Sequence, residues 1–314
     1  MIERLRNYWH RRRINRPRRF AKLRDYWREH TSRRRFIKGA LAAGSAGVVT
    51  AGYARLWEPG RLEVNQHKVP LGDNTHPIHL LHLSDLHASR VVSLDYLRHS
   101  LNVGLELKPD LICLTGDYIT WKYRRYNEYA EMLSMLSAAA PTFACLGNHD
   151  GGKWAAKRLG YPNADHVRSM LTKADITLLH NEARSVKVDE RVLNLVGMGD
   201  IWNGEFHPEK AFPKIPEPGA NTIALSHNPD TKQQLADYSW DLLLCGHTHG
   251  GQVVVKLFGQ SITPVMAETP YLAGFYTINN MLISVNNGLG LTMAPIRFQA
   301  PAEVTVIQLR KLKK

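Results

Sequence analysis

Short apolar segments alternate with amphipathic segments through the first half of the chain after residue 61. Segments 79–84, 110–115 and 142–146 are apolar runs that predict buried strands. Between them, segments 93–107 and 126–139 repeat their apolar residues with the period of a helix. This β-α-β-α-β order predicts parallel strands joined by right-handed crossovers.

The second half of the chain has a different pattern. Segments 185–188 and 191–197 straddle Asp189-Glu190 and predict a hairpin. Further strands are predicted at 222–226, 241–245, 253–255, 275–278, 281–285 and 303–309. No long linker, internal repeat or low-complexity stretch interrupts residues 62–314. We therefore predict one α/β domain in which two packed sheets are flanked by helices.

The positive charge of the chain is concentrated at its start. The formal net charge is +13, but residues 1–38 hold 15 Lys or Arg against only three acidic residues. The remainder carries 26 basic and 25 acidic residues, so this nearly neutral part is not predicted to bind nucleic acid. Cys113, Cys145 and Cys245 are odd in number and lie in apolar runs, so we expect buried thiols and no disulfide framework.

A basic segment followed by an uncharged one predicts export or anchoring. Residues 32–38 read Ser-Arg-Arg-Arg-Phe-Ile-Lys and resemble a twin-arginine export signal, with Ile37 where leucine is typical. The 16 uncharged residues that follow are fewer than the ~20 that span a bilayer, so cleaved export and an uncleaved anchor both remain open. The predicted organisation is a basic tail at 1–31, either solvated or lying on an anionic membrane, this segment at 32–57, and a folded domain at 58–314.

Polar residues cluster directly after five of the predicted strands. The carboxyl ends of strands in an open α/β sheet face one crevice, so these clusters are expected to converge. The residues there that can ligate a metal are Asp85, His87, Asp117, Asn148, His227, His247 and His249. Carboxylate, amide and imidazole ligands without thiolate fit manganese, iron or zinc better than calcium. They predict two divalent cations that bind phosphate oxygens and convert a bridging water into a hydroxide nucleophile.

The ordered motifs resemble those of the calcineurin-like metallophosphoesterase family. They are Asp85-x-His87, Gly116-Asp117, Gly147-Asn148-His149-Asp150, His227 and Gly246-His247-x-His249, and they cover residues 80–252. The leader and the Trp57-Glu58-Pro59-Gly60 sequence extend the likeness to the YaeI/YkuE-type branch of bacterial phosphodiesterases. The resemblance implies a four-layer α/β/β/α sandwich of two mixed sheets flanked by helices, and a metal-dependent phosphoric diester hydrolase.

The resemblance also implies a role for each motif residue. The ligands implied for one metal ion are Asp85, His87, Asp117 and His249, and those for the other are Asp117, Asn148, His227 and His247. The expected metal is manganese, with iron or zinc as alternatives. His149 is expected to contact the phosphate beside Asn148 and to protonate the leaving oxygen, while Asp150 orients His149 by accepting its N–H. A purely orienting role for His149 remains an alternative.

Residues outside the motifs give weaker signals. Residues 121–125 and the set Lys153, Trp154 and Lys157 are cationic and aromatic. They are interpreted either as contacts for a phosphorylated, partly apolar substrate or as solvated loops. The other histidines are predicted to be ordinary surface residues, among them His82, His99, His166, His180 and His207.

The leader bears on the expected substrate and compartment. For an enzyme located at a membrane we predict a lipid-linked phosphodiester or pyrophosphate as the substrate. The resemblance agrees, because relatives in this branch cleave UDP-2,3-diacylglucosamine in lipid A synthesis. That nucleotide lies on the cytoplasmic side, whereas the twin-arginine translocation machinery would deliver the enzyme to the periplasmic side of the inner membrane. We expect either lipid A synthesis on the cytoplasmic face or a cell-envelope substrate on the periplasmic face. A general phosphomonoesterase and a non-catalytic binding scaffold are alternative functions.

Overall fold

The computed structural model describes residues 33–72, 77–257, 260–263, 269–278, 281–292 and 294–310. The predicted basic tail at 1–31 lies outside them. Contacts divide the chain into one unit that ends at Tyr53 and a second unit that begins at Ala54. The first unit contains helix α1 (Arg33–Gly52), in which residues 37–51 are exposed. None of the described helices combines the length and hydrophobicity required for a bilayer span.

The second unit contains a series of mostly short strands. They are β1 (Leu62–Val69), β2 (Ile78–Leu83), β3 (Leu111–Thr115), β4 (Thr142–Cys145), β5 (Thr177–Leu178), β6 (Glu182–Val188), β7 (Arg191–Gly197), β8 (Asn221–Leu225), β9 (Leu242–Cys245), β10 (Val255–Leu257), β11 (Gln260–Ile262), β12 (Gly274–Ile278), β13 (Met281–Val285) and β14 (Ala302–Leu309).

Helices and helical turns connect these strands. The α-helices are α2 (Leu94–Leu105), α3 (Tyr126–Ser137), α4 (Lys153–Ala156), α5 (Asp165–Lys173) and α6 (Pro208–Ala211). A π-helical turn covers Tyr53–Trp57, and 3₁₀ turns cover Glu58–Gly60, Phe212–Lys214, Pro229–Gln233 and His249–Gly251. Helix α2 begins after Ser93, whose hydroxyl accepts a hydrogen bond from the backbone N–H of Tyr96 at 3.2 Å and so caps the first turn.

The strands form two mixed six-stranded sheets and a separate β10–β11 ribbon. The first sheet has the order β1-β14-β2-β3-β4-β5, and the second has the order β12-β13-β9-β8-β7-β6. In the first sheet, β2, β3 and β4 pair in parallel, which confirms the predicted β-α-β-α-β unit. In the second sheet, β7, β8 and β9 are also parallel, so both sheets present several carboxyl strand ends at one edge.

The sheets pack against each other through a buried apolar layer. Leu111 and Cys113 of the first sheet share this layer with Leu195, Ile223 and Leu244 of the second. Helices α2, α3 and α5 cover the other face of the first sheet, while short helical turns that include Phe212 cover the second. This arrangement confirms the predicted four-layer α/β/β/α sandwich of two mixed sheets. The three cysteines are buried and unpaired, as predicted.

Strand β1 and helix α5 were not predicted, and one predicted strand has different bounds. Strand β1 was not predicted, because this partly exposed edge strand mixes polar and apolar residues and lacks a continuous apolar run. Helix α5 was also not predicted, because only Val167, Met170 and Leu171 are buried among its nine residues. The strand predicted at 253–255 begins only at Val255, while Val253 forms an isolated bridge with Phe298.

Candidate dinuclear metal site

Five loops converge where the parallel strands of both sheets end. The candidate residues follow β2 (Asp85, His87), β3 (Asp117), β4 (Asn148, His149, Asp150), β8 (His227) and β9 (His247, His249). Backbone hydrogen bonds join the loops, with the N–H of His87 donating to the carbonyl of Asp117 at 2.9 Å. The N–H of Gly246 likewise donates to the carbonyl of His227 at 2.9 Å. The predicted convergence of these loops is therefore observed.

The first group of ligand atoms comes from Asp85, His87 and His249, which are all buried. The Nε2 atom of His249 lies 3.2 Å from Asp85 Oδ1 and 3.0 Å from His87 Nε2. The other oxygen of Asp85, Oδ2, accepts hydrogen bonds from the Ser84 hydroxyl at 2.6 Å and from the backbone N–H of His247 at 2.9 Å. Asp85 thus presents one fixed oxygen to two imidazole nitrogens.

The second group of ligand atoms comes from Asp117, His227 and His247, which are also buried. The Nε2 atom of His227 lies 3.1 Å from Asp117 Oδ2 and 3.2 Å from His247 Nδ1. Asp117 Oδ2 is also 3.4 Å from His87 Nε2, which belongs to the first group. One carboxylate oxygen therefore lies between the two groups, which is the position required of a ligand that bridges two metal ions.

The polar atoms of this site fit two cations. Both side-chain polar atoms of the buried Asn148 lack a hydrogen-bond partner among the described residues, as do Asp85 Oδ1 and His247 Nε2. Buried polar groups are rarely left unpaired, so these atoms indicate a missing partner. His227 donates its Nδ1 hydrogen to the carbonyl of Thr115 at 2.7 Å, so its Nε2 lone pair faces the carboxylate of Asp117. A cation or a proton must lie between two such acceptors.

Several ligands adopt backbone conformations that are uncommon for residues with side chains. The φ angle is positive at Asp85 (50°), His87 (47°), Asp117 (56°), His247 (71°) and His249 (52°). Such residues each cost on the order of 1–2 kcal/mol unless the surrounding structure holds them. The strain allows the loops to turn sharply and direct the side chains into one pocket. These conformations lower the stability of the loops but place the ligands correctly.

Two glycines permit the close approach of the loops. A Cβ atom on Gly246 would overlap the side chains of Ser84 and Asp85. A Cβ atom on Gly147 would overlap the carboxylate of Asp117. The Gly that precedes a ligand in each of these motifs therefore provides space for a carboxylate of a neighbouring loop.

The electrostatics of the site favour positive charge between its carboxylates. Burial alone would lower the pKa of His227, but the carboxylates of Asp117 and Asp85 raise it to about 10. Burial lowers the pKa of His247 to about 3 and that of His249 to about 4. The site thus contains two imidazoles that stay neutral and can ligate a metal directly, and carboxylates that attract a proton or a cation.

His149 lies where it can reach the centre of the site. Its ligand atom lies within 4.8 Å of those of His87 and Asp117. Its Nδ1 hydrogen donates to the carbonyl of Thr120 at 2.7 Å, and its backbone N–H donates to Asp117 Oδ1 at 2.8 Å. The Thr120 carbonyl fixes the tautomer of His149 and leaves Nε2 free to hold a proton for a substrate.

Asp150 has a different role from the one expected. Its carboxylate accepts hydrogen bonds from the backbone N–H groups of Asp117 (2.9 Å), Tyr118 (2.7 Å) and Gly147 (2.7 Å). The side-chain N–H of His149, which was expected to donate to Asp150, donates to the carbonyl of Thr120 instead. Asp150 therefore joins the Asp117 loop to the Asn148 loop and acts on the site through their backbones.

Sequence reasoning missed three residues around the ligands. Thr120 and Thr115 orient His149 and His227 through backbone carbonyls, which any residue type can supply, so no sequence signal marks them. His82 was predicted to be an ordinary surface residue, but it is fully buried and lies 3.0 Å from the Thr115 hydroxyl. Its position within an apolar strand segment was the available signal of burial.

Aromatic residues border the site. The ring of Trp154 lies 4.7 Å from that of His149, and the ring of Trp202 lies 4.2 Å from that of His247. The two tryptophan rings lie 5.4 Å apart. The structure thus places Trp154, for which the sequence left a substrate contact and a solvated loop open, beside the site. It also places there Trp202, to which the sequence assigned no role.

The family model described as calcineurin-like phosphoesterase matches residues 78–251, more than half of the chain. The chain belongs to the calcineurin-like phosphoesterase family. The matched range contains all seven candidate ligands and His149. The family binds divalent metals, and the Asp and His groups of this chain can hold them.

Relatives within the family cover nearly the whole chain. The phosphodiesterase YaeI of Escherichia coli K12 is 38% identical over 88% of this chain and 99% of its own length. YkuE of Bacillus subtilis 168, an uncharacterized metallophosphoesterase, is 32% identical over 89% of this chain and 98% of its own length. The UDP-2,3-diacylglucosamine pyrophosphatase LpxG of Chlamydia muridarum is 30% identical over 84% of this chain and 94% of its own length. The chain is accordingly a metal-dependent phosphoester hydrolase.

Proposed function

We propose that the chain is a dinuclear-metal-dependent hydrolase of phosphodiesters or pyrophosphates with a lipid-linked or cell-envelope substrate, such as UDP-2,3-diacylglucosamine. The observation that carries the proposal is the position of Asp117 Oδ2 between His87 and His227, which joins two groups of buried ligands. The similarity to a named phosphodiesterase and a named pyrophosphatase supports the proposed reaction class.

The proposed ligands divide into two sets that share one residue. Asp85, His87, Asp117 and His249 would hold one cation, and Asp117, Asn148, His227 and His247 would hold the other. When bound, two divalent cations bind phosphate oxygens, lower the pKa of a water and stabilise the charge of the transition state. Manganese is the proposed metal and iron or zinc the alternatives, since the ligands are oxygen and imidazole nitrogen atoms.

Residues of the chain then bind the phosphate and move a proton. The amide of Asn148 is buried without a hydrogen-bond partner among the described residues, so it is available to a metal or a phosphate oxygen. His149 donates its Nδ1 hydrogen to the Thr120 carbonyl, so Nε2 is the ring nitrogen that can carry a proton to the substrate. Burial lowers the pKa of His149, which favours release of that proton. Delivery of that proton to the leaving oxygen makes His149 the proposed general acid. Asp150 holds the Asp117 loop next to the Asn148 loop, because its carboxylate accepts hydrogen bonds from backbone N–H groups of both.

The proposal includes a membrane location. Residues 32–57 are proposed to act as a twin-arginine signal or an anchor, with the basic tail at 1–31 on an anionic membrane surface. The enzyme would then lie on the periplasmic side of the inner membrane, or on its cytoplasmic face if the segment only anchors. Protease accessibility in spheroplasts tests this location. Digestion of the protein without lysis indicates the periplasmic side. Protection until lysis contradicts the periplasmic side and indicates the cytoplasmic face.

The reaction is tested with bis(p-nitrophenyl) phosphate and manganese. We expect hydrolysis by the purified protein, and a fall of at least about a hundredfold in kcat/KM for Asp117→Asn and for His247→Ala. The matched controls are the variants Asp237→Asn and His99→Ala at exposed positions, which should retain the wild-type rate. Equal rates in all four variants would contradict the proposal.

Two further measurements separate the alternatives. Faster cleavage of p-nitrophenyl phosphate than of the diester would favour a phosphomonoesterase. Elemental analysis counts the metal ions per chain and identifies them. A protein without bound metal and without activity after manganese addition would indicate a binding scaffold.

A further inference from the structure

Four aromatic rings follow one another along one side of the candidate metal site. His149 contacts Trp154 edge-to-face, with ring centroids 4.7 Å apart and an interplanar angle of 70°. Trp154 is 5.4 Å from Trp202, and Trp202 contacts His247 edge-to-face at 4.2 Å and 87°. The two tryptophans therefore connect the proposed general acid to a proposed ligand of the second metal. We call Trp154 and Trp202 the tryptophan wall.

The tryptophan wall is fixed relative to the site and is accessible to solvent. The side chain of Asn203 accepts a hydrogen bond from the backbone N–H of Trp154 at 2.9 Å and donates one to the carbonyl of Asn148 at 3.4 Å. Asn203 thus ties the wall to a ligand loop. Trp202 is 41% exposed and Trp154 is half-buried, so indole surface remains open to solvent at the edge of a polar site.

Cationic side chains accompany the wall. The guanidinium of Arg158 lies 4.1 Å from the ring centroid of Trp154, a distance typical of a cation–π contact. Lys153 and Lys157 are exposed on the same short segment. An aromatic surface with an Arg and two Lys residues suits a ligand that carries both a ring and negative charge.

We infer that the tryptophan wall binds a planar ring on the substrate, such as the base of a nucleotide, next to the phosphate that is cleaved. The inference rests on the proposed function, because the phosphate must occupy the metal site for its neighbouring ester group to reach the wall. A ring gains stacking with indole in addition to buried area, whereas an alkyl chain gains buried area alone. Both members of the tryptophan wall present an indole ring, which favours a ring as the occupant.

Two diesters with the same charge and the same leaving group test the inference. One is the p-nitrophenyl ester of thymidine monophosphate, and the other is ethyl p-nitrophenyl phosphate. We expect the manganese-loaded wild-type protein to prefer the thymidine ester in kcat/KM. Substitution Trp202→Leu should lower the ratio of the two kcat/KM values by about tenfold, the effect of one lost stacking contact.

The control variant is Trp57→Leu, because Trp57 is 70% exposed and has no part in the ring series. It should keep the wild-type ratio. If Trp202→Leu lowers kcat/KM equally for both esters, the ratio stays unchanged. That result would show that Trp202 only supports His247, and it would overturn the inference. A wild-type preference for the ethyl ester would also overturn it.

A binding measurement separates failure of this inference from failure of the proposed function. If the wild-type protein cleaves neither ester, the proposed reaction is wrong, and the affinities for uridine monophosphate and inorganic phosphate then decide on the ring site. We expect the wild-type protein to bind the nucleotide more tightly than phosphate by about tenfold, and Trp202→Leu to remove that difference. Equal affinities in the wild-type protein would contradict a ring site.

Discussion

The guanidinium of Arg297 donates a hydrogen bond of 2.9 Å to the carbonyl of Gly288, the glycine that packs on the side chain of Asp85. A Cβ atom on Gly288 would lie 2.5 Å from Asp85 Cβ. Arg297 is fully buried and also donates to the carbonyls of Asn287, Gly290 and Ala300. A buried cation therefore holds the loop that supports one of the proposed metal ligands.

Replacement of this cation should destabilise the protein. Arg297→Met removes a donor from four backbone carbonyls, most of them buried, so we expect a loss of roughly 3–5 kcal/mol in the free energy of unfolding. Urea denaturation measures the loss. The matched control is Arg98→Met at an exposed position of α2, which should change stability by less than about 0.5 kcal/mol. Similar midpoints for the two variants would contradict the structural role of Arg297.

Gly246 should not tolerate a side chain. In Gly246→Ala the new methyl group would overlap Ser84 and Asp85, so the loop that carries His247 must move. We expect fewer bound metal ions per chain, measured by elemental analysis, and a decrease of about a hundredfold in diester hydrolysis. Gly60→Ala is the control, because a Cβ atom there meets nothing within 4 Å. Wild-type metal content and activity in Gly246→Ala would rule out this close packing.

His149 should act on the leaving group without holding metal. In His149→Ala we expect kcat to fall by about 10²- to 10⁴-fold, because the group proposed to protonate the leaving oxygen is lost. The fall should be larger for diesters with leaving groups of high pKa, which depend most on protonation. Kinetics with a series of leaving groups and elemental analysis test both statements.

The control for this prediction is His99→Ala, since His99 is exposed on α2. It should behave as wild type with every ester. Loss of metal in His149→Ala would assign His149 to the ligands. A loss of kcat that is equal for all leaving groups would favour an orienting role over proton transfer.

The sequence contained clear signals for the buried strands and for the ligand loops. Buried parallel strands such as β3 are uninterrupted apolar runs, and polar residues directly after them stand out. Partly exposed β1 carries no such run, because among the described residues no further strand pairs with its outer edge. The roles of Arg297 and Trp202 could not be predicted from the sequence. Arg297 donates to backbone carbonyls, which any residue type supplies, and Trp202 contacts a ring in a loop that is distant in the chain. Only the folded chain brings these partners together.

The burial of His82 should make stability depend on pH. Burial lowers the pKa of His82 to about 3 in the folded protein, against 6.5 as its ordinary value. Between these pH values His82 is protonated in the unfolded chain but not in the folded protein. The contribution of neutral His82 to the free energy of unfolding is therefore complete above about pH 6.5 and is lost as the pH falls. The expected loss from this one residue between pH 7.5 and 5.5 is about 1.3 kcal/mol.

His82→Gln removes this titration and can still form a hydrogen bond with the Thr115 hydroxyl, the partner that lies 3.0 Å from His82 Nε2. Urea denaturation at pH 7.5, 6.5 and 5.5 measures the free energy of unfolding of the wild type, His82→Gln and the exposed control His99→Gln. Other titrating groups are common to all three proteins, so their effects cancel in the comparison. We expect His82→Gln to lose about 1.3 kcal/mol less than wild type over this range. A pH dependence identical to that of His99→Gln would mean that His82 is protonated in the folded protein.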